Sequence, residues 1–316
     1  PAAGKGVKRL LNTKKENDIL EATLSIAESG YAEAYRFLAG AYENDAESLG
    51  PQALYFLACL AGGAGMPQKA LAWIRKAVAD NGWWYRPEVL EDDDLELLKD
   101  NAEFIALKAV SGGRYVDAAA KTKEVFSWER KKADKLFLAV HGNTQNGQTA
   151  RNDWETLLDG NSQWQIETIQ SAEPDGYGTY RWSYDMVSYQ SVARALKRIQ
   201  SEGYGQIVCG GFSAGCDMLL RTVLFTPARC DRLILQSPWI PIMQDDAVRV
   251  IDAVGKKEIA LSIFCGSEDA DCLPMAEQLY ALAAKNGLNA RLDIQKGIRH
   301  QFPYGPSALT DLLQGM

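Results

Sequence analysis

The chain has 316 residues, enough for two domains with separate cores, and its 47% hydrophobic and 24% charged content is that of an ordinary globular protein. A net charge of −7 supplies no basic stripe to neutralise phosphates, which excludes a nucleic-acid partner. No apolar run reaches the length of a membrane span, and the six cysteines form no zinc-type CxxC pair.

Residues 1–5 lead into a polar helical pattern with no legible signal peptide, so the expected location is cytoplasmic. From about residue 16 to 108 the sequence is rich in Ala and Leu and poor in strand-like runs. Helices are expected over 16–28 and 31–42, broken at Ser29-Gly30, and over 51–60 and 68–79, broken by the glycine-rich turn 62–67. In the second pair, Leu54, Leu57, Ala58, Ala61, Ala70, Ile74 and Ala77 stand where a tetratricopeptide repeat places its packing residues. Small side chains at Ala58 and Ala70 let two helices approach closely, which is the physical content of that pattern. The stretch from Glu91-Asp92-Asp93-Asp94-Leu95 to Phe104 resembles the tail of such an array. The array is short, and its expected use is capping a neighbouring domain or docking a protein partner or second subunit.

After about residue 132 the composition changes. Residues 136–140 form a continuous apolar run, as in a strand buried on both faces. Further strands are expected over 165–169, 206–210, 232–235, 259–264 and 290–294. Helical patterns fall between them at 150–158, 186–202, 217–224 and 274–286. Alternation of this kind predicts an α/β, doubly wound, mostly parallel sheet, with chemistry at the carboxyl ends of its strands. The expected domains are therefore 1–130, helical with a linker, and 131–316, catalytic.

The third of these strands runs into Gly211-Phe212-Ser213-Ala214-Gly215 and then a helical pattern. Strand, sharp turn and helix around Gly-x-Ser-x-Gly is the context in which a serine is thrust out of the fold as a nucleophile. A serine hydroxyl needs a base, and the chain has only two histidines. His300 follows the last strand in Gly297-Ile298-Arg299-His300-Gln301-Phe302-Pro303 and is the candidate base. Asp269, in Gly266-Ser267-Glu268-Asp269, is the candidate that orients it, with Glu268 and Asp271 as rivals. His141-Gly142-Asn143-Thr144 follows the first strand, where an oxyanion-hole amide originates. The backbone N–H groups of Asn143 and Ala214 are assigned to the oxyanion, with Thr144 as runner-up, and His141 is expected to brace the loop.

These four motifs in this order resemble the α/β-hydrolase superfamily, most closely its small carboxylesterase, phospholipase/thioesterase and dienelactone-hydrolase branches. Gln170-Ser171-Ala172-Glu173-Pro174 with Gly178-Thr179-Tyr180-Arg181-Trp182 also resembles a loop of such esterases. The resemblance covers about the last 185 residues and implies a serine hydrolase acting on a small-molecule ester through a Ser-His-Asp triad, with no cofactor and no metal. It also implies a sheet reduced to about six strands, lacking the first two of the usual eight.

Trp182, Trp239 and Tyr180 are the candidate substrate-binding residues, as aromatic side chains near strand ends that can wall a short acyl or aryl group. Cys265 and Cys272 are close enough in sequence to bridge, although idle thiols are the expectation. Two other functions stay open. One is a scaffold that uses the helical repeats and carries a vestigial hydrolase domain. The other is a transferase, because an acyl-enzyme can be captured by an alcohol other than water.

Overall fold

Proline at the first helical position pre-sets φ, and glycine in the turns lets the chain reverse; together they set the helix boundaries of the amino-terminal half. The computed structural model describes residues 14–127, 129, 131–158, 163–303 and 308–314; residues 1–5, read above for a leader, lie outside them. The chain divides into two units. One runs to Ala120 and includes Gly176–Gly178; the other covers Lys121–Asp175 and everything from Thr179.

In the first unit, α1 (Lys14–Ala27) and α2 (Tyr31–Asn44) precede α3 (Pro51–Gly63) and α4 (Pro67–Arg75). Both α3 and α4 begin on proline, and Gly65 at φ +71° turns the chain between them. Leu54, Leu57, Ala58, Ala61, Ala70, Ile74 and Ala77 are all fully buried. That is the close α3–α4 packing which the small residues predict. A fifth helix, α5 (Ala102–Ala119), opens on Asn101, whose side chain accepts the N–H groups of Glu103 and Phe104 and so satisfies the exposed donors of the first turn.

The second unit is built on a seven-stranded sheet. Its elements in chain order are β1 (Val125–Phe126), β2 (Lys135–Val140), α6 (Gly147–Leu158), β3 (Trp164–Gln170), β4 (Glu173–Gly176), β5 (Thr179–Arg181), α7 (Met186–Ser201) and β6 (Gln206–Phe212). They continue with α8 (Ala214–Phe225), β7 (Arg232–Gln236), α9 (Ile242–Asp245), α10 (Ala247–Lys256), β8 (Ala260–Gly266), α11 (Leu273–Lys285), β9 (Ala290–Gln295) and α12 (Ala308–Gln314). Strand order is β1-β3-β2-β6-β7-β8-β9, parallel throughout except for β1, while β4 and β5 pair separately.

The six expected strands are the six parallel ones. Side chains alternate across the sheet as the pleat requires. Leu136, Leu138 and Val140 enter one core with residues of α7, α8, α10 and α11, and Phe137 and Ala139 enter the other with residues of α6 and Leu313 of α12. The chain leaves β2 toward β3 on one side and later returns to pair β6 on the other, so the order reverses between β2 and β6. In open parallel sheets the crevice beyond the strand ends at such a reversal is where ligands bind. Among the described residues, no helix is long and apolar enough to cross a membrane.

Candidate active site

Two loops meet at that reversal. β6 ends at Phe212, α8 begins at Ala214, and Ser213 between them takes φ 51° and ψ −124°, a strained backbone for a residue with a side chain. Its N–H still donates to the Gln236 carbonyl of β7, at 3.1 Å. Helix α8 packs tightly against the end of β2: a Cβ on Gly215 would lie 2.5 Å from the Val140 carbonyl oxygen and 2.6 Å from that of His141. Only glycine fits there. Ala214 is the first residue of α8, so its N–H has no acceptor within the helix and points from the positive end of the helix dipole.

The loop after β2 passes beside Ser213. A Cβ built on Gly142 would stand 3.2 Å from the Ser213 Cβ. His141 is fully buried, its Nε2 accepts from the Ser171 N–H at 3.1 Å, and its Nδ1 lies 2.6 Å from the Gly142 carbonyl. With Nε2 accepting, the proton belongs on Nδ1 and the ring is neutral. Burial drives its pKa down to about 4, against the smaller upward pull of the Gly142 carbonyl. His141 therefore braces the loop, as expected. The Gly142 N–H is taken by Gln145 Oε1 at 2.8 Å. Asn143 uses its side chain structurally, accepting from Trp182 N at 2.9 Å and donating to the Tyr184 hydroxyl at 3.2 Å. Thr144 adopts φ 60°.

His300 and Asp269 are brought together, with Nδ1 2.8 Å from Oδ2. The loops after β8 and β9 are closed onto each other to achieve this. Glu268 donates its N–H to the Ile298 carbonyl, and a Cβ on Gly266 would sit 2.0 Å from that same oxygen. Asp269 is buried, whereas its rivals Glu268 and Asp271 are exposed. Burial raises the Asp269 pKa, but the His300 hydrogen bond and charge, the Cys272 N–H and the Ser237 hydroxyl outweigh it, holding the carboxyl below its usual range. The His300 ring lies 5.0 Å from Phe212, the neighbour of Ser213, and Phe302 packs on the Phe212 ring at 4.9 Å.

One of the aromatic assignments is corrected. Trp182 is 1% exposed, stacks on His141 at 4.8 Å and donates its Nε1–H to the His141 carbonyl at 2.8 Å. It supports the loop from beneath and presents no face to a ligand. Tyr180 is half-buried and ties its N–H to the Gln145 carbonyl at 2.8 Å. Trp239 is exposed and hydrogen-bonds the Tyr184 hydroxyl.

Three residues beside the candidate groups were given no part in the site from sequence. Ser237, fully buried at φ 45°, hydrogen-bonds Asp269. Tyr184, at φ 58°, links Asn143 to Trp239. Cys272 places its Sγ 3.5 Å from His300 Nδ1. All six cysteines are free and buried, so Cys265 and Cys272 do not bridge; Cys265 instead directs its thiol at Asp269 Oδ2, 3.9 Å away. Asp269, Cys272 and His300 are also the residues here with the chemistry to hold a metal ion.

Residues 15–119 match the family model described as the A/B hydrolase-like N-terminal domain. No curated protein matches the chain. Among solved structures, an uncharacterised protein from Bacillus cereus ATCC 10987 is similar over 95% of this chain and 96% of its own, with 24% identity and a TM-score of 0.50. The Bacillus cereus carboxylesterase is similar over 64% of this chain and 96% of its own, with 16% identity and a TM-score of 0.44. Zea mays acyl-protein thioesterase 2 covers 61% of this chain and 96% of its own, with 13% identity and a TM-score of 0.41. Likenesses as distant as the last two carry no functional argument. The fold is that of the α/β-hydrolases, a mostly parallel sheet flanked by helices, with a helical region ahead of it.

Proposed function

We propose that this chain is a serine hydrolase that cleaves carboxylic esters through an acyl-enzyme. One observation carries the reading: a buried carboxylate bonds an imidazole nitrogen at 2.8 Å, and that ring lies against the residue preceding a serine held in a left-handed strand-to-helix turn. Asp269 fixes the proton on Nδ1 of His300 and leaves Nε2 as the base. Ser213 Oγ attacks the ester carbonyl as Nε2 takes its proton. Asp269 then stabilises the imidazolium, and the N–H groups of Ala214 and Asn143 receive the developing oxyanion. His300 returns the proton to the departing alcohol, and water repeats the sequence on the acyl-Ser213 ester. Short acyl and aryl esters are the proposed substrates, with the exposed Trp239 and the half-buried Tyr180 as the aromatic surface next to the loops.

The test is Ser213→Ala against p-nitrophenyl acetate. The variant should melt like the parent and lose at least about a thousandfold in kcat, because the covalent route is gone. A fluorophosphonate probe should label the parent at Ser213. Undiminished hydrolysis in the variant would reject the assignment, and a folded parent that stays unlabelled would favour a scaffold with a vestigial site.

A further inference from the structure

The third face of the His300–Asp269 pair is occupied by sulfur. Cys272 Sγ lies 3.5 Å from His300 Nδ1, and one ligating atom from each of Asp269, Cys272 and His300 falls within 4.8 Å of the others. We propose that these three side chains form a binding site for a soft divalent cation of the zinc class, and that occupancy switches the hydrolase off.

The distances fit such an ion. With Zn–S near 2.3 Å and Zn–N near 2.1 Å, a tetrahedral S···N edge is about 3.6 Å, close to the sulfur–nitrogen separation in the structure. The corresponding N···O edge is about 3.3 Å, so the Asp269–His300 hydrogen bond opens by roughly half an ångström as the ion replaces its proton. One thiolate, one imidazole and one carboxylate form a mixed donor set that suits zinc and disfavours magnesium or calcium, which take oxygen cages. The charges close as well: a dication with one thiolate and one carboxylate leaves the buried site neutral. A backbone donor already orients the carboxylate, since the Cys272 N–H reaches Asp269 Oδ1 at 3.2 Å, as an outer-shell partner would.

The inhibitory consequence follows from the imidazole. The cation takes the Nδ1 lone pair, the ring proton shifts from Nδ1 to Nε2, and the Cys272 thiol releases its proton to solvent. A ring protonated at Nε2 has no lone pair left for the Ser213 hydroxyl. A second cluster, Cys59 with Asp92 and Asp94, offers a control. There the carboxylates are engaged by tyrosines: the Tyr55 hydroxyl donates to Asp92 at 2.6 Å and Tyr31 bonds Asp94.

Binding is read without reference to hydrolysis. Cobalt(II) added to the full chain should saturate at one equivalent and give a near-ultraviolet thiolate-to-cobalt charge-transfer band, which zinc displaces. Cys272→Ser should abolish the band, His300→Gln should weaken cobalt binding by more than about 100-fold, and Cys59→Ser should leave both unchanged. A folded parent without the band, or a band that survives Cys272→Ser and is lost in Cys59→Ser, overturns the site. Should Cys272→Ser fail to fold, X-ray absorption of the zinc-loaded parent decides: one sulfur with one imidazole and two further oxygen scatterers, one of them solvent, supports it, and no sulfur, or sulfur without imidazole, refutes it. The inhibitory half rests on the hydrolase reading. One equivalent of zinc should abolish p-nitrophenyl acetate cleavage and a chelator should restore it; binding without inhibition overturns that half. A chain with no cleavage to inhibit overturns it together with the hydrolase reading, and the cobalt spectrum still decides the site.

Discussion

Mild acidification tests the loop after β2 through His141. The native state holds this imidazole neutral down to about pH 4, because burial opposes the charge. Unfolding releases it to water, where it takes up a proton below its ordinary value of 6.5. Over that window the unfolded chain binds more protons than the native one, so stability is present above pH 6.5 and drains away as pH falls toward 4. Between about pH 7 and about pH 5 the difference in proton uptake is worth roughly 2 kcal/mol. The interval is chemically quiet: carboxylates titrate mostly below it, and His300 is the only other histidine in the chain. Urea unfolding of the parent and of His141→Gln at the two pH values isolates the contribution, since the variant keeps His300 and loses only the buried imidazole. The parent should lose about 2 kcal/mol more than the variant on acidification, whatever their stabilities at neutrality. Parallel losses would refute the reasoning and mean that His141 is charged, or solvated, in the folded protein.

Gly266→Ala should cost hydrolysis about a hundredfold, because its Cβ would meet Ile298 and Arg299 backbone oxygens at 2.0 and 2.7 Å and shift His300 off Asp269. Steady-state kinetics on the folded variant checks this. Ser237→Gly should relieve a backbone held at φ 45°, and so raise the melting temperature, while lowering kcat by removing the hydroxyl on Asp269. A fall in kcat with no loss of stability separates that role from a packing role. In the helical unit, Leu54→Ala leaves a cavity at a fully buried position and should cost about 2–5 kcal/mol by thermal or urea unfolding.

How much was legible depended on where a residue's partners lie along the chain. Strand β2 announced itself because burial on both faces demands a continuous apolar run, Leu136-Phe137-Leu138-Ala139-Val140, whereas β3 and the largely half-buried β9 were legible only from apolar residues alternating with polar ones. Strand β1 has two residues and β4 reads Glu-Pro-Asp-Gly, so neither presents a pattern. Helix α5 hides behind Gly112-Gly113 in its own middle. At the site, glycines and chain order pointed to Ser213, Asp269 and His300. Ser237 gave no such signal, because the carboxylate it bonds belongs to a different loop, after the next strand. Trp182 misled for a related reason: an aromatic residue past a strand end has the same sequence signature whether it faces a ligand or a buried histidine, and here it packs on His141.

Backbone strain locates the same region without any appeal to motifs. Among the described residues, five that are not glycine have positive φ: Thr144, Tyr184, Ser213, Ser237 and Glu258. Each such residue costs about 1–2 kcal/mol and persists only where neighbours over-determine it. Glu258 falls ahead of β8, but the other four follow the carboxyl ends of β2, β5, β6 and β7. Ser213 and Ser237 share one device. Each extends its strand by a residue and donates its N–H one strand further along, Ser213 to the Gln236 carbonyl and Ser237 to the Phe264 carbonyl, at 3.1 and 2.8 Å. The ladder bond offsets part of the strain while the left-handed turn frees the side chain from the pleat. On β6 this places the candidate nucleophile at the strand end; on the neighbouring β7 it places the hydroxyl that bonds Asp269. Because β6 and β7 are parallel neighbours, the two turns stand side by side at the same end of the sheet, which is the placement the proposed Ser213–His300–Asp269 site requires of a nucleophile and of a hydroxyl bonded to its carboxylate.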